Sequence, residues 1–130
     1  MTTRRDLLKA AAAAPLAFTP LSSADAMRAA AHALAALEGA AAGAPYAPKF
    51  FRPTEWTNLR ILVDLIIPRD QRSGSATDAG VPEFMDWTCS EYPSYAWTRE
   101  ALRWLGAFAY ERYDKSFARC TDAQSVGSAA

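Results

Sequence analysis

Few side chains in this 130-residue chain have the type and spacing that a catalytic site requires. The single histidine, His32, stands in an alanine-rich stretch with no second histidine to complete a metal site or a proton relay. The acidic residues of the central part are interpreted as solvated charges of loops and helix ends; they are Asp64, Asp70, Asp78, Glu83 and Asp86. No serine–histidine pairing and no cluster with metal-ligand spacing is present. We therefore predict no catalytic, cofactor-binding or metal-binding residue in this chain.

The first quarter of the chain has the layout of a twin-arginine export signal. Arg4 and Arg5 precede Leu7 and Leu8, and an alanine-rich apolar run follows from residue 10 to residue 18. Paired arginines ahead of a short, weakly hydrophobic run are typical of the route that exports folded proteins. The run is about half the length that spans a membrane. An ordinary secretory signal with a basic start is the alternative.

Small residues mark the expected end of the signal. The triplet Ala24-Asp25-Ala26 predicts cleavage after Ala26, although the alanines that follow offer other sites. The mature chain then has about a hundred residues, with 11 basic and 12 acidic side chains. Such a near-neutral balance argues against nucleic acid or an anionic membrane as the main partner. A single domain of this size has a marginal core and often needs a partner.

Residues 27–48 are interpreted as a tether between the signal and the folded unit. Up to residue 42 the segment is mostly alanine, which favours helix but offers little to pack. Gly39, Gly43, Pro45 and Pro48 interrupt any regular element. A loose helix within the tether is the alternative.

The domain that follows, residues 49–124, is predicted to be all-α, a small bundle of three to four helices. Pro53 at a first helical position and Glu55 in the first turn predict the start of a helix. Its apolar residues recur every three or four positions and are expected to face the core; they are Trp56, Leu59, Leu62, Val63 and Ile66. A polar loop over 69–80 leads to a second helix, which begins at Val81-Pro82-Glu83 and ends before Pro93.

The third predicted helix runs from about Thr98 to Phe117. One face is expected to carry Trp97, Ala101, Trp104, Leu105 and Phe108, with further aromatic residues continuing around it. This is more aromatic surface than a three-helix core can easily bury, and large aromatic side chains are common interface anchors. The predicted partner interface consists of Trp87, Tyr92, Tyr95, Trp97 and Trp104.

A further helix start is present near the end of the sequence. Thr121 is followed three residues later by Gln124, which is the pattern of a capping box. Only the short tail 125–130 follows this helix start, so we predict that a terminal helix has been lost or replaced by truncation or frameshift. The alternative is that the capping box is accidental.

These features in this order resemble the gluconate 2-dehydrogenase subunit 3 family. The segments that carry the resemblance, besides the export signal, are Phe50-Phe51-Arg52-Pro53-Thr54-Glu55-Trp56, Ile66-Ile67-Pro68 and Ala79-Gly80-Val81-Pro82-Glu83-Phe84. The resemblance covers roughly residues 3–124. One departure is Arg52, because the family usually has threonine there and arginine cannot cap the helix, at a cost of about 1 kcal/mol.

The resemblance implies a non-catalytic small subunit of a periplasmic, membrane-associated flavin dehydrogenase that oxidises sugars, sugar acids or polyols. The implied partners are a large subunit that holds FAD, a multihaem cytochrome c subunit and the twin-arginine translocase. The small subunit is implied to assist maturation of the large subunit and to escort it through export. The alternative function is an independent periplasmic helical module with a small-molecule pocket among the aromatic residues.

Two cysteines, Cys89 and Cys120, are the reactive groups of interest. In an oxidising periplasm they could pair with each other, or one could pair with a cysteine of the large subunit. Two free, buried thiols are the third alternative, and the sequence does not decide among the three.

Overall fold

The computed structural model describes residues 21–120, and in that range the chain forms four α-helices and no β-strand. The helices are α1 (Ser23–Ala41), α2 (Pro53–Ile66), α3 (Val81–Glu91) and α4 (Trp97–Tyr113). A 3₁₀ turn at Pro93–Tyr95 lies between α3 and α4, and a second one at Phe117–Arg119 follows α4. The predicted all-α class is confirmed. None of the helices within residues 21–120 is long and apolar enough to cross a membrane.

Two groups of predicted residues lie outside the described range. The signal residues Arg4, Arg5, Leu7 and Leu8 precede it, and the capping box at residues 121–124 follows it. The predictions made for them stay predictions.

Local sequence signals account for where α2 and α3 begin. Pro53 opens α2, and the Glu55 carboxylate accepts the Arg52 backbone N–H at 3.2 Å. Arg52 supplies no side-chain cap, as expected for a guanidinium, which has no acceptor. At the start of α3, Gly80 adopts a left-handed conformation with φ of 80° and Pro82 lies in the first turn.

The helices pack in the spatial order α1, α3, α2, α4. One core cluster joins α2, α3 and α4 and consists of Phe51, Leu59, Val63, Ala76, Cys89 and Leu102. A second cluster beneath the final 3₁₀ turn consists of Leu105, Ala109 and Phe117. The loop 69–80 contributes Ala76 to the first cluster, so part of this loop is pressed against the core.

Helix α4 is shorter than predicted, and part of the face expected to be apolar is exposed. It ends at Tyr113 instead of Phe117, because Asp114 takes a left-handed conformation with φ of 54°. The buried residues of α4 are Thr98, Leu102, Leu105 and Ala109. On the face expected to carry Trp97, Ala101, Trp104, Leu105 and Phe108, the first three residues are exposed and Leu105 is buried. The core face is thus the neighbouring stripe, and most of the aromatic stripe lies outside.

Residues 23–41, all of which were assigned to the signal or the tether, form a helix that packs along α3. Ala29 and Ala33 of α1 are buried in this contact. The small alanine side chains let the two backbones approach closely, and a Cβ placed on Gly80 would lie 3.1 Å from Leu37 Cδ1. Much of the predicted tether is therefore a docked helix, and the segment without regular structure is limited to the residues after α1.

Candidate partner-binding surface

An apolar groove runs between α2 and α4, with the start of α3 and the loop before it as its floor. Its volume is about 450 Å³. Apart from Thr98, every residue within 21–120 that lines the groove is apolar. These residues are Leu59, Leu62, Val63, Ile66, Ile67, Ala76, Val81, Met85, Trp97, Thr98, Ala101, Leu102, Trp104 and Leu105. We call this set the α2–α4 groove.

Four large side chains at the rim of the α2–α4 groove are half exposed or more. Their exposed fractions are 69% for Ile66, 54% for Ile67, 50% for Trp97 and 60% for Trp104. Scattered single exposed hydrophobic residues are normal on proteins, but a contiguous apolar patch of this kind marks an interaction site. Two tryptophans at its edge fit the composition of protein interfaces, where aromatic anchors dominate the binding energy.

A polar cluster beside Phe50 holds α4 against the start of α2. Arg99 Nε donates to Glu55 Oε2 at 3.1 Å. The same guanidinium donates to the Phe50 carbonyl and lies over the Phe50 ring, 4.2 Å from its centroid. Glu55 is buried, so these contacts fix the start of α4 relative to α2. Trp97, two residues before Arg99, is thereby positioned on the groove.

The groove offers almost no polar groups to a small hydrophilic ligand. Thr98 is buried, and its hydroxyl already donates to the Tyr95 carbonyl at 2.7 Å. Sites for small molecules orient their ligands with several convergent polar groups, and a sugar bound without them would lose its hydrogen bonds to water. The surface is therefore suited to an apolar face of another protein.

The residues predicted as a partner interface fall into separate environments. Trp97 and Trp104 lie on the groove, whereas Tyr95 is partly buried against the first core cluster. Trp87 and Tyr92 contact each other edge to face at 6.1 Å, and Trp87 lies 6.2 Å from the His32 ring of α1. The structure therefore does not bring the five residues together on one surface.

Sequence reasoning missed the contribution of α2 to the groove. Ile66 was expected in the core, and Ile67 was noted only as part of a family motif, yet both are exposed on the groove. One feature of the sequence could have indicated this contribution. The apolar stripe of α2, which ends in Ile66 and Ile67, is broader than contact with one neighbouring helix requires.

Two of the acidic residues interpreted as solvated are buried, which corrects that interpretation. Asp86 has no exposed surface, and Glu83 is 4% exposed. Glu83 lies 3.8 Å from the Arg60 guanidinium, and its second carboxylate oxygen has no hydrogen-bond partner within the described residues. Asp70 and Asp78 are exposed in the loop before α3, and backbone N–H donors there hold their pKa values below the usual range.

Asp86 organises the segment that leads into α2. Its carboxylate accepts the Tyr46 hydroxyl at 2.6 Å and the backbone N–H groups of Lys49, Phe50 and Phe51 at 2.9, 3.0 and 3.1 Å. Burial and the hydrogen bond to Asp86 raise the pKa of Tyr46. His32 of α1 lies 3.2 Å from the Tyr46 hydroxyl, so the lone histidine takes part in a structural hydrogen-bond chain.

The two cysteines are free thiols in the structure and lie in different places. Cys89 is buried between α3 and α4, with Sγ 3.7 Å from the Thr98 hydroxyl. Cys120 is partly exposed beside the final 3₁₀ turn, and its Sγ donates to the Ser116 carbonyl at 3.5 Å. A disulfide from Cys89 to another subunit would require this buried sulfur to become accessible. The predicted pairings remain to be tested.

We expect Cys120 to react with a thiol reagent in the native protein, and Cys89 to react only after unfolding. Burial removes Cys89 from solvent and raises its pKa, which lowers the fraction of reactive thiolate. Labelling of the Cys120→Ser variant with a chromogenic disulfide reagent, with and without denaturant, measures this difference. Immediate labelling of native Cys120→Ser would contradict the expected burial of Cys89.

Within residues 21–120 no group of three or more histidine, cysteine and acidic side chains is arranged to hold a metal ion. Among known protein families, the one described as Gluconate 2-dehydrogenase subunit 3 matches the chain over residues 53–127. This match covers more than half of the sequence and includes α2, α3 and α4. No curated protein and no solved structure gives a significant match.

Proposed function

The chain belongs to the gluconate 2-dehydrogenase subunit 3 family, as a subunit of a dehydrogenase complex, and we propose that it is the non-catalytic subunit that escorts the FAD-containing subunit. FAD in the large subunit and haem c in a cytochrome subunit would carry the oxidation of a sugar, sugar acid or polyol. The small subunit would assist maturation of the large one and supply the twin-arginine signal for both. The complex would then lie in the periplasm, associated with the membrane.

The observation that carries this proposal is the α2–α4 groove. An apolar groove with two half-exposed tryptophans is poorly suited to remain in water, and a partner subunit would bury it. The groove lies within the part of the chain that matches the family, so it belongs to the domain that defines the subunit. We propose the groove as the contact with the large subunit.

Among the described residues that line the groove there is no evident nucleophile or ligand cluster, which supports a role in binding. The Thr98 hydroxyl donates to the Tyr95 carbonyl, and the buried acids Glu83 and Asp86 do not line the groove. Asp86 instead holds four hydrogen-bond donors of its own chain. The chemistry of the complex would therefore reside in its other subunits.

Export of the large subunit tests the proposed escort function. The chain is co-expressed with a large FAD subunit that has no signal of its own, and both are followed by cell fractionation. We expect the Arg4→Lys/Arg5→Lys variant to retain both proteins in the cytoplasm, because the twin-arginine route requires the arginine pair. An Arg72→Lys variant, which changes an exposed loop arginine, is the matched control and should be exported normally.

Two outcomes of the fractionation would contradict the proposal. Unchanged periplasmic accumulation of the twin-lysine variant would rule out the twin-arginine route. Export of the small subunit while the large one stays in the cytoplasm would rule out the escort function and leave the signal prediction intact.

A further inference from the structure

The expected cleavage site lies inside a folded helix. Ala24, Asp25 and Ala26 all belong to the first turn of α1. The backbone N–H of Ala26 donates to the Ser22 carbonyl at 2.9 Å, and the N–H of Asp25 donates to the Ser22 hydroxyl oxygen at 3.1 Å. Ser22 is therefore the N-cap of the helix that contains the predicted site.

The first turn of α1 lies beside the end of α3. The Asp25 carboxylate accepts hydrogen bonds from the Ser22 hydroxyl and from Arg28, and the Tyr92 hydroxyl lies near it. These contacts hold the pKa of Asp25 below its usual range, with Ser22 as the largest cause and Tyr92 next. Tyr92 is the C-terminal cap residue of α3. The first turn thus lies beside a residue that is far away in the sequence.

The next turns of α1 are fastened by packing. Ala29 is fully buried and Ala33 is 4% exposed against α3. Gly80 provides the space for this approach, since a Cβ there would lie 3.4 Å from Ala33 Cβ. The first turn of α1 therefore continues directly into a docked helix.

A peptidase can cleave within such a segment only when the backbone of the segment leaves the helical conformation and becomes extended. Extended peptides are recognised by pairing their N–H and C=O groups with a strand of the binding protein, and in a helix these groups are already paired. Cleavage of a folded protein at such a position follows the population of the locally opened state. A chain exported in the folded state would carry α1 already formed.

We propose that docking of α1 on α3 protects the bond after Ala26, so that the signal is removed there only when the first turn of α1 opens. This inference rests on the proposed export of a folded chain. Removal of the signal would then depend on the stability of the contact between α1 and α3, and a well-docked subunit would keep its signal for longer.

Digestion of the purified full-length chain by signal peptidase in detergent tests this inference independently of export. Tyr92→Phe removes the hydroxyl that lies near Asp25 without changing the sequence near the cleaved bond. Ala33→Glu places a charge in the buried contact with α3, also beyond the triplet. Tyr110→Phe, at an exposed tyrosine of α4, is the matched control. The mass of the product identifies the bond that is cut.

We expect the rate of cleavage after Ala26 to rise by about tenfold or more in Ala33→Glu and by about two- to fivefold in Tyr92→Phe, because each raises the opened population. Tyr110→Phe should match the wild type. Equal rates in all four proteins, or no cleavage after Ala26 even in Ala33→Glu, would overturn the inference.

Circular dichroism checks that each variant keeps its helices, and the cleavage rate of Tyr92→Phe decides the test if Ala33→Glu does not fold. Failure of the escort function would appear in the fractionation experiment and would leave these rates unchanged.

Discussion

Replacing Asp86 with alanine is expected to lower the free energy of unfolding by about 3–5 kcal/mol, because it removes one buried acceptor from four donors. The Tyr46 hydroxyl and the backbone N–H groups of Lys49, Phe50 and Phe51 all donate to this carboxylate. Asp86 itself is fully buried, so water cannot replace it without opening the core. A domain of this size has a total stability of roughly 5–10 kcal/mol, and a large fraction of Asp86→Ala would then be unfolded near 37 °C.

Urea denaturation of the full-length chain, followed by tryptophan fluorescence, measures this loss. The matched control is Asp70→Ala, because the Asp70 carboxylate also accepts two backbone N–H groups, from Arg72 and Ser73 at 2.7 Å, but is exposed. Water can satisfy those donors, and we expect a loss below about 1 kcal/mol. Asp86→Asn keeps one acceptor oxygen, and we expect its loss of unfolding free energy to lie between those of Asp86→Ala and Asp70→Ala. Equal midpoints for Asp86→Ala and Asp70→Ala would contradict the role assigned to Asp86.

The second large effect is expected at Trp104, on the rim of the α2–α4 groove. Trp104→Ala should weaken binding to the large FAD subunit by about 30-fold or more, which is the usual effect of truncating an interface hot spot. The side chain is 60% exposed in the subunit alone, so the free energy of unfolding should change little. The Trp104 ring stacks on the Phe108 ring with 5.1 Å between their centroids, and the substitution removes this contact.

Titration of the purified large subunit with each variant measures the dissociation constants. Tyr110→Ala is the matched control, since Tyr110 lies on the same helix, is 59% exposed and does not line the groove. We expect its affinity to equal that of the wild type. Equal losses in Trp104→Ala and Tyr110→Ala, or no loss in either, would show that the partner contacts another surface.

The amino-acid sequence by itself determined where α2 and α3 begin and which class of fold the helices build. Pro53 and Pro82 predicted the starts of α2 and α3, because proline favours the first turn of a helix and the carboxylates of Glu55 and Glu83 suit the positive end of the helix dipole. These interactions are local, since they involve residues within one turn of each other. The family was also identified from short contiguous motifs, and the match over residues 53–127 confirmed it.

The end of α4 and the face of α4 that is buried were harder to predict from the sequence. Leu102, Leu105 and Ala109 form one apolar stripe, and Trp97 and Trp104 belong to a second one beside it. Helical periodicity shows that both stripes exist but does not rank them. The pairing of Arg99 with Glu55, 44 residues apart in the sequence, helps to orient α4 and leaves the tryptophans on the groove.

Only the tertiary structure decided the burial of Asp86 and the docking of α1. Asp86 is stable in the interior because the chain brings four donors to it from 35 to 40 residues away. The alanines of α1 carry little hydrophobic surface, and their burial depends on the close approach that Gly80 permits. In both cases the deciding contacts join residues distant in the sequence, and no local pattern of residue types specifies which distant groups will meet.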